Sequence, residues 1–255
     1  MGAPDRAATR ARLPLRRVSP YDAIQVTILA AGMGTRLGRP FPKPLTRLGD
    51  GRSILVQQLD NVTTAFGASA KVQIVVGFKL ELVMEAAPDV VFVYNENYDQ
   101  TNTCKSLLKA LRSSHAGGVV WMNGDVVFDP EVLRRLTPYI AQDRSVIAVN
   151  TAAVAEEEVK YTVDTCGHVD ALSKSVPNAL GEAVGINFVA ARDKDALIQR
   201  LDQCAKQDYF ERGIELAIEG DGMRVTPVDI SDLFAVEVDF EEDLTRANQV
   251  RHAAP

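Results

Sequence analysis

The sequence is poor in cysteine and histidine, the residues that build disulfide frameworks and many metal or catalytic sites. Its three cysteines are widely spaced and form no Cys-x-x-Cys pair, which argues against a disulfide framework. This pattern favours a reducing compartment, so we expect a cytoplasmic protein. The three histidines show no spacing typical of a metal site or a catalytic triad. These six residues are Cys104, Cys166, Cys204, His115, His168 and His252.

Long apolar runs and excess positive charge are also missing. No apolar run approaches the roughly 18 residues of a membrane span, so we expect no membrane-spanning helix. The formal net charge of −6 argues against general nucleic-acid binding, which usually requires a basic protein. It is compatible with a bound mononucleotide, because a local cationic pocket can exist in an acidic protein.

Basic residues are concentrated at the N-terminus. The first 20 residues carry five arginines and one acidic residue, without the apolar segment of a secretory signal. We expect a flexible N-terminal tail over residues 1–20, with an organelle transit peptide as the alternative. Because no low-complexity linker divides the rest, we expect a single domain over residues 21–255.

The most informative stretch is LAAGMGTRLGRPFPKPL, residues 29–45. It follows a short apolar run that predicts a strand, and Gly32 and Gly34 allow the backbone to turn tightly and approach a ligand. Successive backbone N–H groups in such a turn bind anions. Arg36 and Lys43 then supply cations suited to phosphate oxygens. A turn with merely solvated basic residues is the alternative.

The stretch matches neither of the two common phosphate loops, the P-loop and the Rossmann fingerprint. It resembles the AAGxGTRLxxxxPK signature of the sugar-nucleotidyltransferase superfamily. The resemblance implies that Arg36 binds the β- and γ-phosphates of a nucleoside triphosphate and that Lys43 binds the α-phosphate. The nucleotide-binding residues that it implies in this stretch are Leu29, Ala30, Ala31, Gly32, Gly34, Thr35, Arg36 and Lys43.

Strand, loop and helix patterns repeat four times in the first half of the chain. The pattern predicts an α/β fold with a doubly wound, mostly parallel, Rossmann-like sheet and helices on both faces. In such sheets ligands lie beyond the carboxyl ends of the strands. That rule brings Gly77, the 95–103 loop and Asp125 to the same rim as the glycine-rich stretch. The predicted strands are 24–29, 71–76, 89–94 and 118–122.

The second half predicts a hairpin, residues 159–163 and 168–173, around a Cys-Gly turn. We interpret residues of about 151–190 as a small β-rich, acceptor-binding lid inserted in the same domain. Further predicted strands are 145–150, 185–190, 223–228 and 235–238, and a helix over 241–250 closes the pattern. No internal repeat is visible.

Two carboxylates are candidate ligands of Mg²⁺. Asp125 directly follows the fourth strand, and the family places a metal-binding Asp there. The segment beginning at Asp239 resembles the family's VDxxEDL motif, whose first Asp completes the metal site. Asp129 competes with Asp125 but more readily caps the next helix, and capping the last helix is the alternative role for Asp239. A Mg²⁺ cofactor is therefore expected.

Acceptor and base contacts are predicted from weaker signals. The resemblance implies that Lys174 binds the acceptor phosphate and that Glu182 faces the other end of the acceptor. Asn102 and Thr103 carry donors and acceptors for the base and ribose, with capping of the following helix as the alternative.

The short interval between Arg36 and Lys43 resembles the corresponding spacing in the phosphocholine, phosphonate and inositol-phosphate cytidylyltransferases. The NENYDQTNTCKSL segment also resembles a segment of the phosphocholine and phosphonate enzymes. The implied reaction is transfer of CMP from CTP to a small phosphate- or phosphonate-bearing acceptor, with release of pyrophosphate. One alternative is a sugar-1-phosphate uridylyl-, thymidylyl- or guanylyltransferase. Another is a regulatory protein that binds nucleotide without turnover. Oligomeric state stays open, with a homodimer as one outcome.

Overall fold

A computed structural model describes residues 23–152, 154 and 158–249, so the N-terminal tail predicted over 1–20 lies outside the described residues. These residues form a nine-stranded mixed sheet, a separate two-stranded sheet and seven helices. In this part of the chain no helix is both long and apolar enough to cross a membrane.

The strands of the central sheet run in the order β10-β6-β9-β4-β1-β2-β3, and a β7–β8 hairpin joins the sheet through β9. The strands, in chain order, are β1 (Gln25–Ala30), β2 (Lys71–Val76), β3 (Val91–Tyr94), β4 (Val119–Asn123), β5 (Val126–Phe128), β6 (Val146–Asn150), β7 (Lys160–Val163), β8 (Val169–Ser173), β9 (Gly181–Val189), β10 (Thr226–Asp229) and β11 (Ala235–Glu237).

Helices cover both faces of this sheet. The helices are α1 (Ile54–Phe66), α2 (Leu80–Ala86), α3 (Thr103–Ser113), α4 (Glu131–Ala141), α5 (Ala191–Gln203), α6 (Phe210–Asp221) and α7 (Glu241–Gln249). One core packs residues of α3, α5 and α6 against the sheet, and the other packs residues of α1, α2 and α4. The predicted doubly wound α/β fold is confirmed.

Strand β1 lies at the centre and explains this two-sided packing. All six of its residues are buried, and its side chains alternate between the two cores, with Ile28 in one and Leu29 in the other. Strands β2 and β4 pair with β1 in parallel, so all three reach the same rim. At that rim Leu29 is in register with Asn123 of β4 and Val75 of β2.

Strand β9 is antiparallel to both of its neighbours, β4 and β6. It is longer than the strand predicted over 185–190, because it begins at Gly181 and continues to pair with β7. The predicted hairpin is present, with Tyr161 opposite Leu172 in β7 and β8. The hairpin thereby extends the central sheet at the rim where β4 ends.

The two-stranded sheet was only half predicted. Strand β11 was expected, but its partner β5 was not, and the two pair antiparallel with Glu237 opposite Val126. A small third core around Val127, Val238 and Leu48 buries one side of this pair. The sheet carries the chain after β11 back to Asp125, whose carbonyl accepts a hydrogen bond from the N–H of Val238 at 3.0 Å.

Candidate active site

An open cavity of about 410 Å³ lies at the carboxyl ends of β1 and β4. Its walls come from the glycine-rich stretch, the loop before α3, the end of β4, the hairpin, the start of α6 and the segment after β11. The sequence-predicted residues that line it are Leu29, Ala30, Gly32, Gly34, Arg36, Lys43, Asn102, Thr103, Asp125, Lys174 and Asp239.

Two glycines bring the walls of the cavity together. Gly34 has a φ of +60°, and a Cβ at this position would lie 2.9 Å from the Cβ of Lys43. Gly124 donates a hydrogen bond to the carbonyl of Leu29 at 2.9 Å, and a Cβ there would lie 2.7 Å from that oxygen. The glycine-rich stretch and the end of β4 are therefore in direct contact, which places Asp125 beside Lys43.

Lys43 connects two carboxylates from distant parts of the chain. Its Nζ lies 2.8 Å from Oδ2 of Asp125 and also donates to Oδ1 of Asp239. Arg36 approaches the other oxygen of Asp239, with Nη1 2.6 Å from Oδ2. Burial lowers the pKa of Lys43, but Asp125 and Asp239 raise it by more, so the lysine stays charged. Burial raises the pKa of Asp239, and Lys43 and Arg36 lower it to a net value below the ordinary one.

A third carboxylate, Glu237, belongs to this cluster and was missed from the sequence. Carboxylate oxygens of Asp125, Glu237 and Asp239 lie within 4.8 Å of one another. Burial and the charges of Asp125, Glu158 and Asp239 raise the pKa of Glu237. Oδ1 of Asp125 is buried without a hydrogen-bond partner among the described residues. Converging oxygens with a spare acceptor suit a hard divalent cation such as Mg²⁺.

The segment after β11 distinguishes the two roles considered for Asp239, metal ligand and cap of the last helix. The helix cap is made by Asp243, whose Oδ2 accepts from the backbone N–H of Phe240 at 2.8 Å and of Asp239 at 3.0 Å. The side chain of Asp239 is directed instead to Lys43 and Arg36. Asp129, the competing candidate, accepts from the N–H of Glu131 at 2.8 Å and so helps to begin α4, as its alternative role required.

The side of the cavity assigned to the base is formed by the start of α3. Oδ1 of Asn102 accepts from the N–H of Thr103 at 2.8 Å, and Oγ1 of Thr103 accepts from the N–H of Phe210 at 3.2 Å. The capping role of Asn102 is therefore confirmed, and contact of either side chain with a base stays a prediction. Gly77 lies behind this wall, where a Cβ would be 2.5 Å from the Cβ of Tyr98.

The acceptor side is lined by the hairpin and the start of α6. The Nζ of Lys174 lies 5.3 Å from the centre of the Tyr209 ring. Glu182, expected at the far end of the acceptor, is not among the described residues that line the cavity, and in β9 it is in register with Asn150 and Lys160. The carboxylates that line this side are Glu158 and Glu211.

Residues 26–207 match the MobA-like NTP transferase domain, which covers most of the chain. The chain belongs to this family. The family is one of NTP transferases, as the glycine-rich stretch indicated. The fold class and the family resemblance drawn from the sequence are both confirmed.

Relatives of this chain are known by sequence and by structure. It is 31% identical over 260 residues to the CMP-5'-(3-aminopropyl)phosphonate synthase of Streptomyces rubellomurinus, covering 91% of this chain and 40% of the relative. It is 28% identical over 131 residues to the bifunctional protein GlmU of Thermosipho melanesiensis, covering 51% of this chain and 28% of the relative. The chain thus spans two fifths or less of the length of these two relatives.

Solved structures show the same fold at low sequence identity. The inositol-1-phosphate CTP transferase of T. maritima superposes with a TM-score of 0.73 at 15% identity, covering 91% of this chain and 98% of that one. The CTP:phosphocholine cytidylyltransferase of Streptococcus pneumoniae superposes with a TM-score of 0.69 at 18% identity, covering 90% and 99%.

Two residues of the site were not predicted from the sequence, for different reasons. Glu237 lies two positions before Asp239 in an extended segment, so both can face the same side, and this spacing was a usable signal. Glu211 lies in a helix with many other charged residues, and nothing local marks it as buried. Of the other residues assigned to the nucleotide, Ala31 lies outside the set of described residues lining the cavity, and Thr35 begins a short 3₁₀ turn.

Proposed function

We propose that this nucleotidyltransferase moves CMP from CTP to a small acceptor carrying a phosphate or phosphonate group, and releases pyrophosphate. The observation that carries the proposal is the position of Lys43, which faces Asp125 and Asp239 inside a cavity at the strand ends. The short interval between Arg36 and Lys43 favours CTP. The names of the phosphonate synthase relative and of the two cytidylyltransferase structures support the same choice.

The chemistry is an in-line displacement at the α-phosphorus. An oxygen of the acceptor's phosphate or phosphonate forms the new P–O bond, and the bond to the bridging oxygen of the β-phosphate breaks with its electron pair on pyrophosphate. An ionised acceptor oxygen needs no general base. Catalysis then rests on positioning two polyanions and neutralising charge that develops between them.

The residues divide this task by position. Lys43, buried beside the cluster, is placed to stabilise charge on the α-phosphate, and the more exposed Arg36 is placed to neutralise the departing pyrophosphate. Lys174, on the opposite side, holds the acceptor's anionic group. Asp125, Glu237 and Asp239 would hold Mg²⁺, which supplies further charge neutralisation at the triphosphate when bound.

Ion pairs within the site suit it to bind these charged groups. Lys43 and Arg36 compensate the charge of three clustered carboxylates, which lowers the cost of a partly buried acidic cluster. A triphosphate with its divalent cation brings opposite charges for both sets of residues. The lysine and the carboxylates can then change partners without leaving the cavity.

The test is release of pyrophosphate with CTP, UTP, GTP, ATP and dTTP, each in turn, against a panel of phosphorylated and phosphonate acceptors with Mg²⁺. We expect turnover with CTP and with a phosphate or phosphonate acceptor. Turnover with UTP and a sugar 1-phosphate, without turnover of CTP, would establish the sugar-nucleotide alternative instead. Binding of nucleotide without pyrophosphate release from any pair would establish the regulatory alternative.

Variants test whether the activity arises from this cavity. Lys43→Ala should abolish most of the activity, whereas Lys71→Ala, at the exposed start of β2, should leave it near the wild-type value. Equal activity of the two variants would show that the activity does not arise from the proposed site.

A further inference from the structure

Glu211 is a buried carboxylate in the cavity wall that the proposed chemistry does not use. It lines the cavity, and only 7% of the residue is exposed. Its Oε2 has no hydrogen-bond partner among the described residues. A buried charged oxygen without a partner is costly, so such groups usually serve a ligand or a proton.

The fold keeps Glu211 in this position. It occupies the first turn of α6, directly after Phe210, whose ring packs edge-on against Trp121 with the centroids 5.6 Å apart. The N–H of Phe210 is also bonded to Oγ1 of Thr103. Because this turn is anchored in the core, the backbone of Glu211 is held at the cavity wall.

The surroundings of Glu211 carry both signs of charge. Lys174 lies over the Tyr209 ring on the same side of the cavity, and its charge lowers the pKa of Glu211 against the larger effect of burial. Glu158 lines this side as well, and burial and neighbouring acids raise its pKa. A cation next to two carboxylates and an aromatic ring matches a ligand that carries an anionic and a cationic group.

We propose that Glu211 binds a primary ammonium group at the end of the acceptor remote from its phosphorus, which makes ω-aminoalkyl phosphonates or phosphates the acceptor class. The inference rests on the proposed function. A primary ammonium supplies the N–H donor that the unpartnered oxygen lacks. A quaternary ammonium has no N–H, so it could occupy the same place but could not donate a hydrogen bond to that oxygen.

The test compares acceptors that differ only at the remote end. The set is 3-aminopropylphosphonate, its N-trimethyl derivative, 3-hydroxypropylphosphonate and butylphosphonate. We expect kcat/KM with CTP and Mg²⁺ to be at least tenfold higher for the primary amine than for each of the others. Glu211→Gln should remove most of that preference through acceptor KM, with the KM for CTP unchanged. Glu219→Gln, on an exposed part of the same helix, is the matched control and should keep the preference.

Calorimetry separates this inference from the proposed function. The same four acceptors are titrated into the protein, with and without a non-hydrolysable CTP analogue. Preferential binding of the amine that Glu211→Gln removes supports the inference even where CTP is not turned over. Equal binding of all four, binding of none, a preference for the trimethyl or hydroxyl compound, or a preference that survives Glu211→Gln overturns it. Turnover with another nucleotide alone would overturn only the choice of CTP.

Discussion

The Nζ of Lys43 lies 2.8 Å from Oδ2 of Asp125, so the lysine assigned to the α-phosphate is paired with a carboxylate assigned to the metal. The two residues are far apart in the sequence and meet because Gly124 lets the end of β4 touch the glycine-rich stretch. The cations and carboxylates of the site are thus mutual counterions, and removal of one should change the charge balance around the others.

Removal of the lysine should expose this dependence. Lys43→Ala should lower kcat/KM by a factor on the order of 10² or more, because one preorganised electrostatic contact is lost. It should also lower Tm, since three carboxylates lose their nearest cation, and Mg²⁺ should restore more of the Tm in the variant than in the wild type. Activity assays and thermal melts with and without Mg²⁺ measure both effects. Near-wild-type activity would contradict the assigned role.

Substitution of Asp239 and substitution of Asp243 should affect different properties, the Mg²⁺ requirement and the stability of the protein. Asp239→Asn should raise the Mg²⁺ concentration needed for half-maximal activity with little change in Tm, because loss of its ion pairs is offset by less repulsion with Asp125 and Glu237. Asp243→Ala should lower stability by about 1 kcal/mol through loss of the helix cap, with the Mg²⁺ requirement unchanged. Titrations of Mg²⁺ and thermal melts on both variants decide the matter. The opposite assignment of effects would return Asp239 to a capping role.

The glycine-rich stretch offers a matched pair for testing contact against backbone strain. Gly34 and Gly38 have similar φ angles, +60° and +64°, so an alanine is strained at either position. Only at Gly34 would the new Cβ meet Lys43, at 2.9 Å. Both variants should lose about 1 kcal/mol of stability, but only Gly34→Ala should also lose most of its turnover. Equal turnover would show that displacement of Lys43 is unimportant.

The carboxylate of Glu211 should make stability depend on pH. Burial raises its pKa to about 7, against the opposing effect of Lys174 and with a further rise from Glu215. The folded state therefore holds this proton more tightly than the unfolded chain. The cost of ionising Glu211 is absent below the unfolded pKa, grows between about pH 4.5 and 7, and is complete above that.

It follows that Glu211→Gln should raise Tm at pH 8 and change it little near pH 4.5, by roughly 2–4 °C for each kcal/mol gained. Thermal melts across that range provide the measurement, with Glu219→Gln as a control that should show no such pH dependence. A fall in Tm for Glu211→Gln at both pH values would mean that the carboxylate stabilises the empty protein.

The parts of the fold that the sequence predicted are those whose signals are local. Strands such as Gln25–Ala30 are buried, mostly apolar runs that end close to a glycine, and β2 was predicted with its observed bounds. Strand β5 was missed because Val126–Phe128 is too short for a pattern. Its partner β11 lies more than 100 residues away, and such pairing depends on tertiary packing alone.

The site shows the same division. Arg36, Lys43 and Asp125 were predicted because strand ends and glycine turns place them by a general rule of parallel sheets. Glu211 could not be predicted, because its burial depends on the contact of Phe210 with Trp121, a residue of another strand. Sequence patterns identify the residues that lie at the rim of the sheet. Long-range packing determines which of the carboxylates there are buried from solvent.

The pairing of β11 with β5 has a consequence for protein synthesis. A nascent chain that has emerged from the ribosome only as far as α6 already contains Lys43 and Asp125 but neither Glu237 nor Asp239. Its lysine then faces a single carboxylate, and the carboxylate cluster cannot form until β11 has been translated and has paired beside the residues that follow Asp125. Premature termination after α6 would therefore yield a chain that lacks two of the three clustered carboxylates.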